Sequence, residues 1–356
     1  MKSLCLILSL SFCADLFATV RTVNNVAGST AQYTTIQAAV NASASGDTIY
    51  VHGSADQYAG FTIADKRLVV IGPGWSPMQN FAPFKASVYD ITISGAGASN
   101  TEIQGLHIVT NIAANSYNHP DGLRFYRNQF KGGIYIGTGT FTYSNFVFEG
   151  NWFDGGSINA AQSCYFINFL FKNNIFYLSN SNGSVSGMSN CSNVIFDHNL
   201  WYGPSGNATV CFTGNCRYLL LTNNIFVRRN AAANNTLSTF NNNITFNAGV
   251  NDPWSQTYSN NGLNNIENQD PQMVAQLGVN AGTNDPLQDF TITAGPANNS
   301  GTDGKDMGLL YDAIGSLNWT NSRMSRLPFV YSMNISNPNI SAGGTLTVQV
   351  EARKNN

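Results

Sequence analysis

From about residue 120 to 230 the apolar positions obey a rule longer than helical or strand periodicity. The hexapeptides FYRNQF, FEGNWF, FKNNIF, FDHNLW and LTNNIF align on Asn128, Asn151, Asn174, Asn199 and Asn224, with spacings of 23, 23, 25 and 25 residues. Three residues before each Asn stand Phe125, Phe148, Phe171, Phe196 and Leu221, and two after come Phe130, Phe153, Phe176, Trp201 and Phe226. A period in the twenties within β-rich sequence predicts a β-solenoid, one coil per copy. Parallel coils stack in register at about 4.8 Å, so equal positions form ladders. Strand alternation then turns both aromatic columns inward, together with Leu123, Phe146, Phe169, Val194 and Leu219. The Asn column is predicted to sit at a corner, where the residue tolerates left-handed backbone and its amide bonds to those above and below. These residues are structural, and none is a catalytic candidate.

Two further columns predict what surrounds the coil. Val147, Leu170, Ile195 and Leu220 face outward and are aliphatic, and Trp152, Ile175, Leu200 and Ile225, just after the Asn, are also apolar. Bare stripes of this kind are costly in water. A cover is expected from the C-terminal strands or the segment 229–288, which is rich in Asn and Gly and departs from the period.

The chain ends complete the architecture. Met1 to Ala18 carries one Lys and a short apolar run, the pattern of a secretory signal, with Cys13 as a competing lipidation site. YTTIQAAVNASASGDTIYV, residues 33–51, holds a short helix signal (Ile36, Ala39, Val40) followed by a strand. It resembles the opening of pectin-lyase-like right-handed parallel β-helix proteins, in which a helix caps the first coil. DFTITAGPANNSGTDGKDMG, residues 289–308, resembles the last-coil signature of secreted bacterial members of that superfamily. The resemblance implies an all-β, single right-handed parallel β-helix with a short N-terminal capping helix and a C-terminal strand pair. The boundaries are a signal peptide at 1–18, the helix at 19–315 and covering strands at 316–356, wound around Gly343-Gly344. NVIFDHN, residues 193–199, is similar to the VWIDH motif of pectate lyases, but the Arg-x-Pro-x-x-Arg motif of that family has no counterpart. The superfamily holds lyases, hydrolases, epimerases and adhesins, so fold does not choose among them.

Composition narrows the partners. Only 10% of the 356 residues are charged, 12% are aromatic, and the formal charge is −2, which argues against disorder and leaves no basic tract for nucleic acid. An acidic polymer gains little attraction from such a surface. No second apolar run is long enough to span a bilayer. The expected product is secreted or held at the cell surface.

Candidate chemistry lies in the outward column Tyr126, Glu149, Lys172, Asp197 and Thr222. Glu149 and Asp197, about 10 Å apart at two coil intervals with Lys172 between them, have the separation of an acid and base pair in inverting glycoside hydrolysis. The same column also reads as an alternating-sign ladder that avoids stacking like charges. His198 cooperates with Asp197 only where the corner turns it outward. Substrate contacts are expected from Tyr126, His198, Trp254 and Tyr258, with Trp75 and Tyr117 as further rings suited to sugars. His52, His107 and His119 share no metal-ligand spacing, and Asp303 and Asp306 are the candidate ligands if calcium binds. Cys191 and Cys216 occupy equal positions on adjacent coils and are expected to bridge, with Cys211–Cys216 as the competing pair and Cys164 as a buried thiol. The function these features imply is binding and cleavage of polysaccharide by a lyase or hydrolase along the outer face. The alternative is a non-catalytic surface or matrix adhesin.

Overall fold

A computed structural model of the protein describes residues 18–76, 84–179, 184–204, 209–249, 254, 258–311, 319, 328–335 and 343–354. The signal segment and most of the linker before the C-terminal strands lie outside them. Each coil contributes to three parallel sheets in turn, which hold 11, 8 and 7 strands among the described residues. In one coil the order is Val147–Glu149 (first sheet), Trp152–Asp154 (second) and Ile158–Ala160 (third).

Register follows the sequence repeat. Phe125 pairs with Phe148, Phe148 with Phe171, Phe171 with Phe196 and Phe196 with Leu221. The rings stack: Phe148–Phe171 centroids lie 4.6 Å apart and Phe171–Phe196 4.3 Å apart, with interplanar angles of 5° and 3°. A second pile runs through Phe153, Phe176, Trp201 and Phe226, all fully buried. Such pairs contribute about 0.5–1.5 kcal/mol each beyond the area they bury.

The aligned Asn side chains are buried and continuous. Asn174 Oδ1 accepts the Asn151 backbone N–H at 2.9 Å and Asn151 Nδ2 at 3.0 Å, while Asn174 Nδ2 donates to the Phe148 carbonyl at 2.9 Å. Asn199 and Asn224 repeat the pattern, and it runs on through Asn243 to Asn265. The segment after Arg229 therefore does not leave the coil: the ladder interval shortens to 19 residues and returns to 22.

The left-handed residue is not the ladder Asn but the one before it: Arg127, Asn173, His198, Asn223 and Asn242 have φ between 51° and 60°. A second left-handed column runs through Asn145, Asn168, Asn193 and Tyr218, with φ from 55° to 63°; Asn145 and Tyr218 precede their first-sheet strands, while Asn168 and Asn193 lie within theirs.

The N-terminal helix Ile36–Ala42 closes the first coil. Thr35 accepts the Ala38 N–H as its N-cap, and Ile36, Ala39 and Val40 are buried. Lys66 donates to the Val40 and Ser43 carbonyls at its C-terminal end.

The cover of the second sheet is the return segment 273–311 with Trp319. Met273, Val279, Phe290, Ile292, Met307 and Leu309 pack on Trp152, Ile175, Leu200, Ile225 and Ile244. Residues 289–308, expected as a last coil, instead run over the outside of the solenoid. The C-terminal strands Pro328–Ile335 and Val348–Lys354 pair antiparallel, and their Met333, Ile335, Val348 and Val350 are 41–54% exposed. The first-sheet stripe Val147, Leu170, Ile195 and Leu220 is half-buried and belongs to neither core.

Cys191 and Cys216 do not bridge, nor do Cys211 and Cys216; the four cysteines among the described residues are free thiols. Cys191 donates to the Met188 carbonyl at 3.4 Å and Cys216 to Thr213 at 3.3 Å, each within its own coil. The left-handed residues Asn193 and Tyr218 intervene, and register between the two coils begins only at Val194 with Leu219. Equal count from the ladder Asn brings the two thiols near each other without joining them.

Candidate functional site

The charged column lies on three adjacent strands of the first sheet, with Tyr126 beside Glu149, Glu149 beside Lys172 and Lys172 beside Asp197. Lys172 Nζ meets Asp197 Oδ2 at 2.9 Å. The other Asp197 oxygen accepts from Thr222 Oγ1 and Asn223 Nδ2, both at 2.8 Å. Burial works to raise the Asp197 carboxyl, but the charges of His198 and Lys172 and the bonds from Lys172 and Thr222 outweigh it and hold the group below the ordinary carboxylate range. A carboxylate so engaged is a strong anchor and a poor proton donor.

His198 does turn outward. Its left-handed backbone (φ 52°) aims the ring past the sheet, where Nδ1 lies 3.1 Å from the Gly308 carbonyl and Nε2 3.3 Å from Asp303 Oδ2 and 3.9 Å from Asp197 Oδ1. The ring is fully buried by the return segment. Neighbouring corner residues hold the same segment: Asn173 Oδ1 accepts the Leu310 N–H, Asn223 Oδ1 the Thr302 N–H, and Asn242 Nδ2 donates to Ser300. The left-handed column is a docking seam, and His198 belongs to it. A ring sealed in this way is removed from direct sugar contact.

Asp303 faces His198 and Asp306 accepts the Asn299 N–H, so the two carboxylates serve separate partners. Among the described residues no group of three His, Cys, Asp or Glu is placed to hold a metal ion. Two expected sugar rings are core residues: Trp254 packs on Phe226 and Phe240 at the end of the coil, and Trp75, fully buried, stacks on Trp319. Each is large and apolar, and each closes a core that would otherwise be open. Tyr258 is half-buried in the last coil, where its carbonyl accepts the Leu237 N–H, away from the Glu149 column. Tyr117 is 75% exposed, with Phe141 edge-on to it.

A groove that the repeat did not predict lies on the outer face of the third sheet at its corner with the second, where Tyr177, Leu178 and Ser184 form its other wall. Its cavity is about 420 Å³, and Tyr135, Ser157, Asn159, Ser186 and Thr213 line it, without a charged side chain among the described residues. Tyr135 pairs in register with Asn159, Asn159 with Ser186 and Ser186 with Thr213. The signal was hidden because this strand follows the ladder Asn at a growing distance, from Asn128 to Tyr135 but from Asn199 to Thr213. Hydroxyls, an amide and phenol rings along a parallel sheet offer neutral hydrogen bonds at coil spacing and an apolar platform.

These features define a parallel β-solenoid with a neutral groove on one face and a sealed ionic seam on another. No protein-family model matches the chain, and no curated protein matches it. Two solved structures of the pectin methylesterase from Aspergillus niger, in penultimately deglycosylated and deglycosylated forms, align at 16% and 15% identity with TM-scores of 0.30 and 0.29. Each alignment covers 70% of this chain and 85% of the other. A superposition that loose carries no argument for fold or activity; the architecture rests on the strand register. No helix among the described residues is long and apolar enough to cross a membrane.

Proposed function

We propose that this is an exported β-helix protein that binds neutral polysaccharide in the third-sheet groove. The observation that carries the reading is the groove itself, whose lining of Tyr135, Asn159, Ser186 and Thr213 supplies donors, acceptors and a ring but no charge. A neutral sugar chain satisfies such a lining without desolvating an ion. Cleavage at Glu149, Lys172 and Asp197 is the second reading, favoured by the approach of Lys172 to Asp197. Engagement of both Asp197 oxygens weighs against it.

Titration with neutral and acidic oligosaccharides tests the first reading. Neutral ligands are expected to bind, with Tyr135→Ala and Asn159→Ala each weakening affinity about tenfold, the loss of roughly one stacked ring or one hydrogen-bonded amide. Neutral binding that survives both changes would place the contact elsewhere. Degradation of any glycan, abolished by Asp197→Ala but not by Asn159→Ala, would establish the second reading instead.

A further inference from the structure

The outward row of the second sheet changes character beyond the covered stripe. In register it reads Ser87, His107, Gln129 and then Trp152, where the apolar residues begin. Lys85 Nζ donates to Gln129 Oε1 at 2.8 Å and lies 5.7 Å from the centre of the Trp152 ring. Gln129 Nε2 donates to Asp154 Oδ2, which Lys131 Nζ also meets at 2.7 Å, and Asn284 Nδ2 holds Asp154 Oδ1. Asp154 is therefore fully engaged.

The row carries more donors and more positive charge than it satisfies. Lys85 and Lys131 bring two ammonium groups, and Asp154 brings one carboxylate. Burial lowers the Lys85 ammonium, with Asp154 opposing and Lys131 adding to it. His107 is pushed down to about 4 by burial and then by Lys85 and Lys131, against Asp154, so its ring is neutral at ordinary pH and does not alter the sum. Its Nδ1 is 2.9 Å from Ser87 Oγ, while Nε2 is buried without a partner. The ring proton resides on Nε2 in the tautomer in which the Ser87 hydroxyl donates to Nδ1. Trp152, 7% exposed, also has its indole N–H buried without an acceptor. Lys85 gives one of its three N–H bonds to Gln129. In that tautomer three donors and one surplus positive charge in a single row lack the same thing, an anionic acceptor.

We propose that this row is a binding position for a singly charged oxyanion, a carboxylate or a sulfate half-ester, which accepts from Lys85, His107 and Trp152. The position is separate from the neutral groove and does not depend on it.

The test is titration of the whole protein with acetate and with methyl sulfate at ionic strength held constant with chloride, followed by thermal unfolding and by the imidazole nitrogen signals of His107. Either anion is expected to stabilise the protein saturably beyond chloride and to shift the His107 Nε2 signal. Lys85→Met and His107→Gln are each expected to weaken the effect tenfold or more, while Arg124→Gln, at an exposed position of the first sheet, leaves it unchanged. Oligosaccharides bearing the same anionic group distinguish the source: tighter binding than acetate or methyl sulfate assigns the position to a glycan, and equal affinity assigns it to a small free anion. A wild-type protein that shows no saturable effect overturns the proposal whether or not the variants fold. So does an affinity unchanged in both Lys85→Met and His107→Gln.

Discussion

Asn174 and Asn168 stand in the same coil and both meet the amides of neighbouring coils, yet they answer to different demands. Asn174 is fully buried, and it holds the Phe148 carbonyl, the Asn151 backbone N–H and two stacked amides. Asn168 is exposed with φ 58°, and its side chain bridges Asn145 and Asn193 at 3.2 and 2.8 Å. Water can replace every bond that Asn168 makes, and none that Asn174 makes. One position therefore selects Asn for its side-chain chemistry and the other for its tolerance of left-handed backbone.

The largest expected effect is that of Asn174→Ala. It strands one carbonyl and removes the acceptor of one N–H and one amide, buried groups that cost about 1–3 kcal/mol each when left unsatisfied, so a loss of about 3–5 kcal/mol is expected in denaturant unfolding. A loss no greater than that of Asn168→Ala would erase the distinction.

Asp197→Asn comes next. The carboxylate is 15% exposed and bound by Lys172, Thr222 and Asn223, and its loss is expected to cost about 2 kcal/mol at neutral pH. Its folded pKa lies below the free value of 3.8, so its contribution is present above that value and disappears as pH falls through the folded one. Wild type should therefore lose stability on acidification more steeply than the Asn variant, as read from unfolding midpoints between about pH 5 and 2. Equal slopes would show that the ion pair contributes nothing.

The smallest effects belong to the exposed corner. Asn168→Ala must adopt positive φ with a Cβ and is expected to cost about 1 kcal/mol, whereas Asn168→Gly is expected to be within about 0.5 kcal/mol of wild type. A Gly variant as damaged as the Ala variant would mean that the exposed amide stack, not the backbone, matters there.

The same contrast separates what could be read from the chain and what could not. The inward columns were legible because alternation and a near-constant period fix both face and register, as Phe148, Phe171 and Phe196 show. Asn243 and Asn265 escaped because the interval shortens while the aromatic frame thins around them. The left-handed residue was expected one position late, since an Asn in a corner signals either role and only backbone angles separate them. Trp75 and Trp254 looked like surface rings because irregular sequence carries no mark of what lies above it.

Sequence alone determined the coil, its period and which side chains face its axis, because neighbouring coils repeat and local alternation suffices. Tertiary structure decided the rest: the return of 273–311 over the second sheet, the sealing of His198, the free thiols of Cys191 and Cys216, and the alignment of Tyr135, Asn159, Ser186 and Thr213. Each of these joins segments through turns of unequal length, and spacing in the chain ceases to report distance in space once the turns differ.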